Sequence, residues 1–264
     1  MWKAIQAAYE AGGDIMKIYN TDFEVDYKAD ESPLTEADQA SHNILVRALR
    51  ELEPDTPILS EEGNHQSYEE RSQWNKFWLI DPLDGTKEFV KKNGEFTVNI
   101  AKIKDGHPAT GIIYAPVLDT MYYGDKKQGA FKMTQFSKKA GQLASLEEFR
   151  REAQAIPISQ SSAQVKVVAS RSHMSEETKT FIQEIKDQGH DVETLSAGSS
   201  LKLCLVAEGS AHYYPRYAPT MEWDTGAGQA IVEAAGGKVE VADSSEPLVY
   251  NKENLRNPWF LARL

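Results

Sequence analysis

The chain has 264 residues, of which 41% are hydrophobic and 26% charged, enough for one large domain or two closely packed ones. Its formal charge of −11 at pH 7 argues against a general nucleic-acid-binding protein, which carries a basic surface. A single cysteine, Cys204, excludes an internal disulfide framework and fits a reducing compartment. We find no apolar run long enough to cross a bilayer and no signal peptide in residues 1–20. We therefore expect a cytoplasmic protein and leave peripheral association with the inner face of the membrane open.

The first two predicted elements are helices. Residues 1–19 carry apolar side chains at helical spacing, and we expect the pair Gly12-Gly13 to break or bend this helix. A second helix is predicted to follow Thr35, a typical N-cap, with Asp38 as the partner in a capping box. Its apolar stripe consists of Ile44, Leu45, Ala48, Leu49 and Leu52.

Short apolar segments separated by turn residues come next and predict a meander of strands. They cover residues 57–60, 77–81, 96–103, 110–116 and 120–125. The stretch 134–163 is polar and irregular, so we expect an α+β domain over 1–150 and a second domain over 151–264. Strands and helices alternate in the second half, which predicts an α/β arrangement. These elements cover residues 165–170, 175–188, 192–195, 199–209, 211–215, 225–235 and 238–241.

Several acidic residues fall at the ends of predicted elements. Glu61 and Glu62 follow the strand 57–60, and Asp81 ends the apolar run before the loop that holds Asp84. Asp224 begins the helix predicted over 225–235. Taken singly, a carboxylate at a helix start is most often a cap, and a Glu-Glu pair is most often solvated.

The segment "IDPLDGTK" (80–87) is different because the run before it fixes Asp81 at the edge of the core. Pro82 removes a donor and restricts φ, and Gly85 permits close approach of the backbone. The loop is therefore stiff, and the Asp81 and Asp84 carboxylates can face one point with the Leu83 carbonyl. Such oxygen ligands suit Mg²⁺. The spacing of the two aspartates argues against a haloacid-dehalogenase-type phosphatase, in which the second aspartate follows two residues after the first.

Two longer segments carry a family resemblance. "WLIDPLDGTKEF" (78–89) and "WDTGAGQAIVEAAGG" (223–237) resemble the signatures of the inositol monophosphatase-like, metal-dependent, lithium-sensitive phosphatases. Further segments resemble the bacterial 3'(2'),5'-bisphosphate nucleotidases within that superfamily, and Lys87-Glu88 separates them from the inositol-type enzymes. These segments are "SPLTEAD", "LSEEG", "YAPV", "SRSH", "GSSLKLCLVAEG" and "YPR".

The resemblance implies a layered αβαβα sandwich of the inositol monophosphatase and fructose-1,6-bisphosphatase type. It also implies two or more Mg²⁺ ions and hydrolysis of 3'-phosphoadenosine 5'-phosphate, a by-product of sulfate assimilation, to AMP and phosphate. Glu61, Asp81 and the Leu83 carbonyl would bind one ion. Asp81, Asp84 and Asp224 would bind another.

The catalytic roles in this assignment are also implied by the resemblance. Thr86 would hold the attacking water, with Glu61 and Asp38 as its carboxylate partners. The substrate phosphate would contact Asp84, Gly85 and Thr86. Inhibition by lithium is expected on the same ground.

A second phosphate and an adenosine need other residues. Hydroxyl groups, cations and helix-start N–H groups make plausible anion sites, although serines before a helix are more often caps and Lys87 and Glu88 can simply pair on the surface. The candidates are Lys87, Ser170, Arg171, His173, Gly198, Ser199, Ser200, Lys202, Arg216 and, beside the metals, Asp224.

Three other interpretations stay open at this point. The first is an inositol monophosphatase or a broader sugar-phosphate phosphatase, which the Lys87-Glu88 pair disfavours. The second is a metal or nucleotide sensor without activity, and the third is a purely structural acidic protein. The sensor is disfavoured because the five residues of the expected site are all present: Glu61, Asp81, Asp84, Thr86 and Asp224. The expected partner is a small bisphosphorylated nucleotide and not a nucleic-acid polymer.

Overall fold

The secondary structure follows the predicted order of helices and strands in a computed structural model that describes residues 1–21, 23, 25–27, 33–158, 164–169 and 174–264. The helices are α1 (Trp2–Tyr19), α2 (Glu36–Leu52), α3 (Tyr68–Arg71), α4 (Thr86–Val90), α5 (Ser137–Ala140), α6 (Leu146–Glu152), α7 (Glu176–Asp187), α8 (Leu201–Ala207) and α9 (Glu222–Ala234). The strands are β1 (Asp26–Tyr27), β2 (Pro33–Leu34), β3 (Ile58–Ser60), β4 (Lys76–Asp84), β5 (Thr97–Lys104), β6 (His107–Ala115), β7 (Thr120–Asp125), β8 (Gly129–Thr134), β9 (Gln154–Ile156), β10 (Val165–Ala169), β11 (Val192–Ser196), β12 (Tyr213–Arg216), β13 (Lys238–Val241) and β14 (Phe260–Arg263). Within these ranges, each helix is too short or too polar to span a lipid bilayer.

The first sheet contains the predicted meander. Among the described residues its strands run in the order β3-β4-β5-β6-β7-β8-β9, with β3 and β4 parallel and the other pairs antiparallel. Side chains alternate between two buried faces along β4, where Trp78 and Ile80 pack on one side and Phe77 and Leu79 on the other. Because both faces are covered, these strands read as continuous apolar runs.

The second sheet is mixed, with the order β11-β10-β12-β14-β13 among the described residues. β10 lies parallel to β11 and β12, whereas β14 is antiparallel to both β12 and β13. The sequence pattern did not predict β14 in this sheet, nor β8 and β9 in the first sheet. The last strand of the chain thus completes the sheet by entering between two earlier strands.

The helices form three layers around the two larger sheets, and β1 and β2 form a separate two-stranded sheet. α1 and α2 cover one face of the first sheet, and α8 and α9 lie between the sheets, where α9 contacts β5 and β6 on one side and β13 on the other. α7 covers the outer face of the second sheet at β11 and β12. This arrangement confirms the layered αβαβα sandwich.

The two N-terminal helices test the capping and glycine arguments. α2 begins after Thr35 with the predicted capping box, in which the Asp38 carboxylate accepts from the Thr35 backbone N–H at 2.8 Å. α1 runs without interruption from Trp2 to Tyr19, so the predicted break at Gly12-Gly13 is wrong. Gly12 serves packing instead, since a Cβ atom there would lie 2.5 Å from the Tyr114 ring.

Candidate active site

The end of β4 contains a β-bulge that brings two aspartates to one side. Asp81 pairs with Asn99 and Asp84 with Thr97, so three steps along β4 face two steps along β5. In a regular strand, residues three apart point to opposite faces. The extra residue of the bulge shifts the alternation of side chains by one position, so both carboxylates lie on the same face and line the same cavity.

Three carboxylates meet at this point. Oxygen atoms of Glu61, Asp81 and Asp224 all lie within 4.8 Å of one another, and Asp81 is only 1% exposed. Burial, followed by the negative charge of Glu61, raises the pKa of Asp81 well above its ordinary value. Burial and then the charge of Asp84 raise the pKa of Asp224 in the same direction. Three carboxylates this close together, with Asp81 buried, favour a bound hard cation, and the donor set, oxygen atoms only, fits Mg²⁺.

Asp224 is both a helix cap and a member of this group. α9 begins three residues earlier than expected from the sequence alone, at Glu222, so Asp224 lies in its first turn. One carboxylate oxygen, Oδ2, accepts from the Met221 backbone N–H at 2.8 Å. The cap fixes the side chain and leaves the other oxygen for the cluster, so the two interpretations of Asp224 do not compete.

Asp38 and Thr86 form a second pair beside the cluster. The Thr86 hydroxyl lies 3.2 Å from Asp38 Oδ1 and 3.3 Å from the Leu83 carbonyl oxygen. Asp38 Oδ2 accepts from both the backbone N–H and the hydroxyl of Thr35 at 2.8 Å. The capping box therefore holds Asp38 in the orientation that contacts Thr86.

Asp84 is not a member of the group within 4.8 Å, and its contacts explain why. Its Oδ2 atom accepts from the Ser200 backbone N–H at 2.6 Å, the Ser199 hydroxyl at 2.9 Å and the Asn99 side-chain amide at 3.3 Å. Ser199 and Ser200 were predicted as substrate contacts, and they line a neighbouring cavity. Their polar groups nevertheless bind Asp84, a contact that the sequence did not indicate.

Two cavities adjoin at Asp84. One of about 190 Å³ contains the carboxylate cluster together with Leu83 and Thr86. The other, of about 340 Å³, is lined by four basic side chains, namely Lys87, Lys91, Lys202 and Arg216. It also has an apolar wall of Tyr214 and Phe260, whose ring centroids are 5.6 Å apart. The same lining contains the carboxylates of Asp84, Glu88 and Asp224, so its basic side chains exceed the acidic ones by one. In a chain with net charge −11, this local balance favours an anionic ligand.

Lys202 and Arg216 are the two most constrained cations of the larger cavity. Lys202 is 6% exposed, and its ammonium donates to the backbone carbonyls of Ser199 at 2.8 Å and Ala197 at 3.3 Å. Burial lowers the pKa of Lys202 to about 8. Arg216 donates to the Pro219 carbonyl at 3.0 Å, while its buried Nε has no hydrogen-bond partner among the described residues. The backbone carbonyls therefore fix the orientation of both cationic groups before a ligand binds.

The remaining predicted site residues fall into three groups. Gly85, with φ of 91°, and Lys87 line both cavities. Gly198 packs against the loop before β5, since a Cβ atom there would lie 2.8 Å from the Glu95 carbonyl oxygen. Ser170, Arg171 and His173 lie outside the described residues. The residues that sequence reasoning missed are Thr97, Asn99, Lys91, Tyr214, Thr220 and Phe260. Two of them carried a signal: Tyr214 lies in the segment "YPR" quoted above, and Lys91 follows Lys87 by four residues.

Comparisons with known proteins identify the family of the chain. The profile of the inositol monophosphatase family matches residues 2–259. The 3'(2'),5'-bisphosphate nucleotidase CysQ of Salmonella typhimurium is 44% identical over 257 residues, covering 97% of this chain and 96% of the relative. The same enzyme of Escherichia coli K12 is 44% identical over 258 residues, with 97% and 96% covered. The crystal structure of CysQ from Bacteroides thetaiotaomicron, a bacterial member of the inositol monophosphatase family, matches with a TM-score of 0.90 and 46% identity, covering 99% of this chain and 95% of that one.

Proposed function

The chain belongs to the inositol monophosphatase family, and we propose that it is a 3'(2'),5'-bisphosphate nucleotidase that hydrolyses 3'-phosphoadenosine 5'-phosphate to AMP and phosphate. The supporting observation is the adjacency of the carboxylate cluster to a cavity lined by four basic side chains. Asp84, Gly85, Lys87, Glu88 and Asp224 line both cavities. A ligand that spans them needs one phosphate at the acidic cluster and a second anionic group among the cations.

The acidic cluster would hold the Mg²⁺ ions that this activity needs. Glu61, Asp81 and the Leu83 carbonyl are the donors for one ion, and Asp81, Asp84 and Asp224 for another. When bound, such cations lower the pKa of water and offset the charge that develops on a phosphate ester. Because carboxylates this close together repel one another as well as the substrate, the cluster supports cation binding even without the family assignment.

Thr86 and Asp38 would orient the attacking water. The Thr86 hydroxyl has one proton, and this proton is directed to Asp38 Oδ1 or to the Leu83 carbonyl. Its oxygen therefore acts as an acceptor toward a water molecule in the cavity. A water that donates to Thr86 has its lone pair turned away from Thr86, so it can attack a phosphorus atom held over the cluster. The Asp38 carboxylate keeps the hydroxyl in this role.

Lys202 and Arg216 would bind the second phosphate. Both are oriented by backbone carbonyls, so little side-chain entropy is lost when an anion binds. Tyr214 and Phe260 offer an apolar surface to the nucleoside. A substrate with a single phosphate would leave these cations without an anionic ligand, which supports the preference for a bisphosphate over an inositol monophosphate.

The test compares phosphate release from 3'-phosphoadenosine 5'-phosphate and from inositol 1-phosphate, each with Mg²⁺ and with chelator. We expect Mg²⁺-dependent release with strong preference for the nucleotide. Preference for inositol 1-phosphate would contradict the substrate assignment but keep the metal site. Release from neither substrate would instead favour a sensor.

A matched pair of variants separates the cluster from the general acidity of the chain. Glu61→Gln should nearly abolish release, because it removes a carboxylate of the cluster. Its neighbour Glu62 is outside the cluster, so Glu62→Gln should retain wild-type rates. Equal loss in the two variants would contradict the assignment of Glu61.

A further inference from the structure

The Asp84 carboxylate has one oxygen fully engaged by the protein. The three donors to Oδ2 come from Ser199, Ser200 and Asn99, and a carboxylate oxygen has only two lone pairs, so it has no capacity left. None of the described residues donates to Oδ1. The side chain is therefore held with a single oxygen available to the cavity that it lines.

The donors are themselves ordered by a buried network. The Thr97 hydroxyl lies 2.9 Å from Asn99 Oδ1, 2.7 Å from the Ser199 hydroxyl and 2.8 Å from the Ser200 hydroxyl. Ser200 also donates to Asn99 Oδ1 at 2.9 Å. Because the Thr97 and Ser200 hydroxyls contact the oxygen of the Asn99 side-chain amide, the nitrogen of this amide is turned toward Asp84. Thr97 is 0% exposed and Asn99 1%, so water does not compete for these bonds.

Ser199 has a left-handed backbone that places two donors beside Asp84. Its φ is 51°, in the left-handed region that non-glycine residues adopt at a cost in stability. This conformation turns the hydroxyl to Asp84 Oδ2 at 2.9 Å and presents the next backbone N–H to the same oxygen. A strained residue is retained where the surrounding structure requires its geometry.

We propose that Thr97, Asn99, Ser199 and Ser200 are positioning residues for Asp84, which fix its carboxylate so that only Oδ1 can ligate a divalent cation. The inference rests on the proposed metal site and adds a role for the "AGSS" loop other than substrate contact. It also joins the two halves of the chain, because β4 and β5 contribute Asp84 and Asn99 while the loop before α8 contributes the serines.

The test uses Ser199→Gly, which removes the hydroxyl and relieves the left-handed backbone. Mn²⁺ serves as the probe, and its binding is followed by loss of the free-ion EPR signal without substrate. We expect at least tenfold weaker Mn²⁺ affinity, with a melting temperature in chelator that is equal to or above that of the wild type. If Ser199 had only a structural role, relief of strain would change the melting temperature and leave the Mn²⁺ affinity unchanged.

Two threonine variants provide a matched control within the same sheet. Thr97→Val removes the central hydroxyl of the network and should also weaken Mn²⁺ binding. Thr110→Val removes a comparably buried hydroxyl on β6, whose partner is Asp125, and should bind Mn²⁺ as the wild type does.

Three results would overturn the proposal. If Ser199→Gly kept the wild-type Mn²⁺ affinity and had a raised KM for the nucleotide, Ser199 would be a substrate contact. This result would contradict its role in positioning Asp84 but would leave the metal site intact. Equal weakening in Thr97→Val and Thr110→Val would show a general loss of packing. If the wild-type protein bound no Mn²⁺, the proposed metal site itself would fail, and the inference with it.

Discussion

Lys202→Met tests whether a second phosphate is recognised in the larger cavity. Lys202 is 6% exposed, and its ammonium already donates to the carbonyls of Ser199 and Ala197, so the cation is oriented before the substrate arrives. A hydrogen bond to a charged group contributes about 1.5–3 kcal/mol. Loss of this contact should lower kcat/KM for the bisphosphate by about 10- to 150-fold. Methionine is also unbranched and is shorter by one heavy atom, so the variant removes the ammonium and leaves most of the apolar stem in place.

The assay compares initial rates at saturating Mg²⁺ on 3'-phosphoadenosine 5'-phosphate and on 3'-AMP. The two substrates present the same ester, and only the first carries a second phosphate. The variant should lose activity on the bisphosphate and change little on 3'-AMP. Equal loss on both substrates would refute the reasoning, because Lys202 would then act on the reacting centre or on the fold.

A stability measurement on the same variant checks the alternative of a damaged fold. Burial lowers the pKa of Lys202 to about 8, which means that the folded protein holds this cation against a desolvation penalty. The apolar side chain of Lys202→Met avoids that penalty, although two carbonyls lose their donor. The urea midpoint should therefore not fall. A clear destabilisation would mean that the lost activity cannot be assigned to the missing contact.

Three further predictions concern charge. Because the Lys202 cation is present below a pKa of about 8 and lost above it, kcat/KM for the bisphosphate should fall above that pH without a parallel fall for 3'-AMP; identical profiles would contradict the assignment. Asp81→Asn should abolish turnover. In chelator its melting temperature should lie above that of the wild type, since burial and then Glu61 disfavour the Asp81 charge. In excess Mg²⁺ the wild type should have the higher melting temperature, and a variant that still melted above it would exclude Asp81 as a ligand. Burial raises the pKa of Glu53, but the hydrogen bond from Lys102 and its other donors outweigh burial and lower it to about 2. The contribution of ionised Glu53 to the free energy of unfolding is therefore complete above about pH 4.5 and lost as the pH falls through 2. In urea titrations, Glu53→Gln should lower the free energy of unfolding by about 1 kcal/mol at pH 7 and leave it unchanged below pH 2. An equal effect at both pH values would contradict the ion pair.

Local signals in the sequence predicted the elements that carry the acidic cluster. The capping box at Thr35 and Asp38 needs only neighbouring residues, and the run that ends at Asp81 is apolar because both faces of β4 are covered. The stiff loop "DPLDG" was recognisable from the preferences of proline and glycine. What these signals share is that the residues which determine them lie within a few positions of one another.

The missed features depend on residues distant in the chain. β14 enters the second sheet between β12 and β13, and no local pattern indicates which two strands it will pair with. Asn99 reads as an ordinary polar residue in a strand, and only the bulge in β4 together with the loop before α8 makes it a neighbour of Asp84. The same holds for Ser199, whose left-handed φ follows from that loop meeting β5.

The cluster works against the stability of the fold that presents it. Burial, followed by the charges of neighbouring carboxylates, raises the pKa of both Asp81 and Asp224, so at neutral pH their ionised forms destabilise the folded chain. The packing of α9 between the two sheets must offset this repulsion in the metal-free protein. A cation that binds only the folded state removes the repulsion and adds stability by mass action. The same carboxylates that oppose folding in chelator should therefore stabilise the protein in Mg²⁺, and this change of sign is what distinguishes a metal site from a solvated acidic surface.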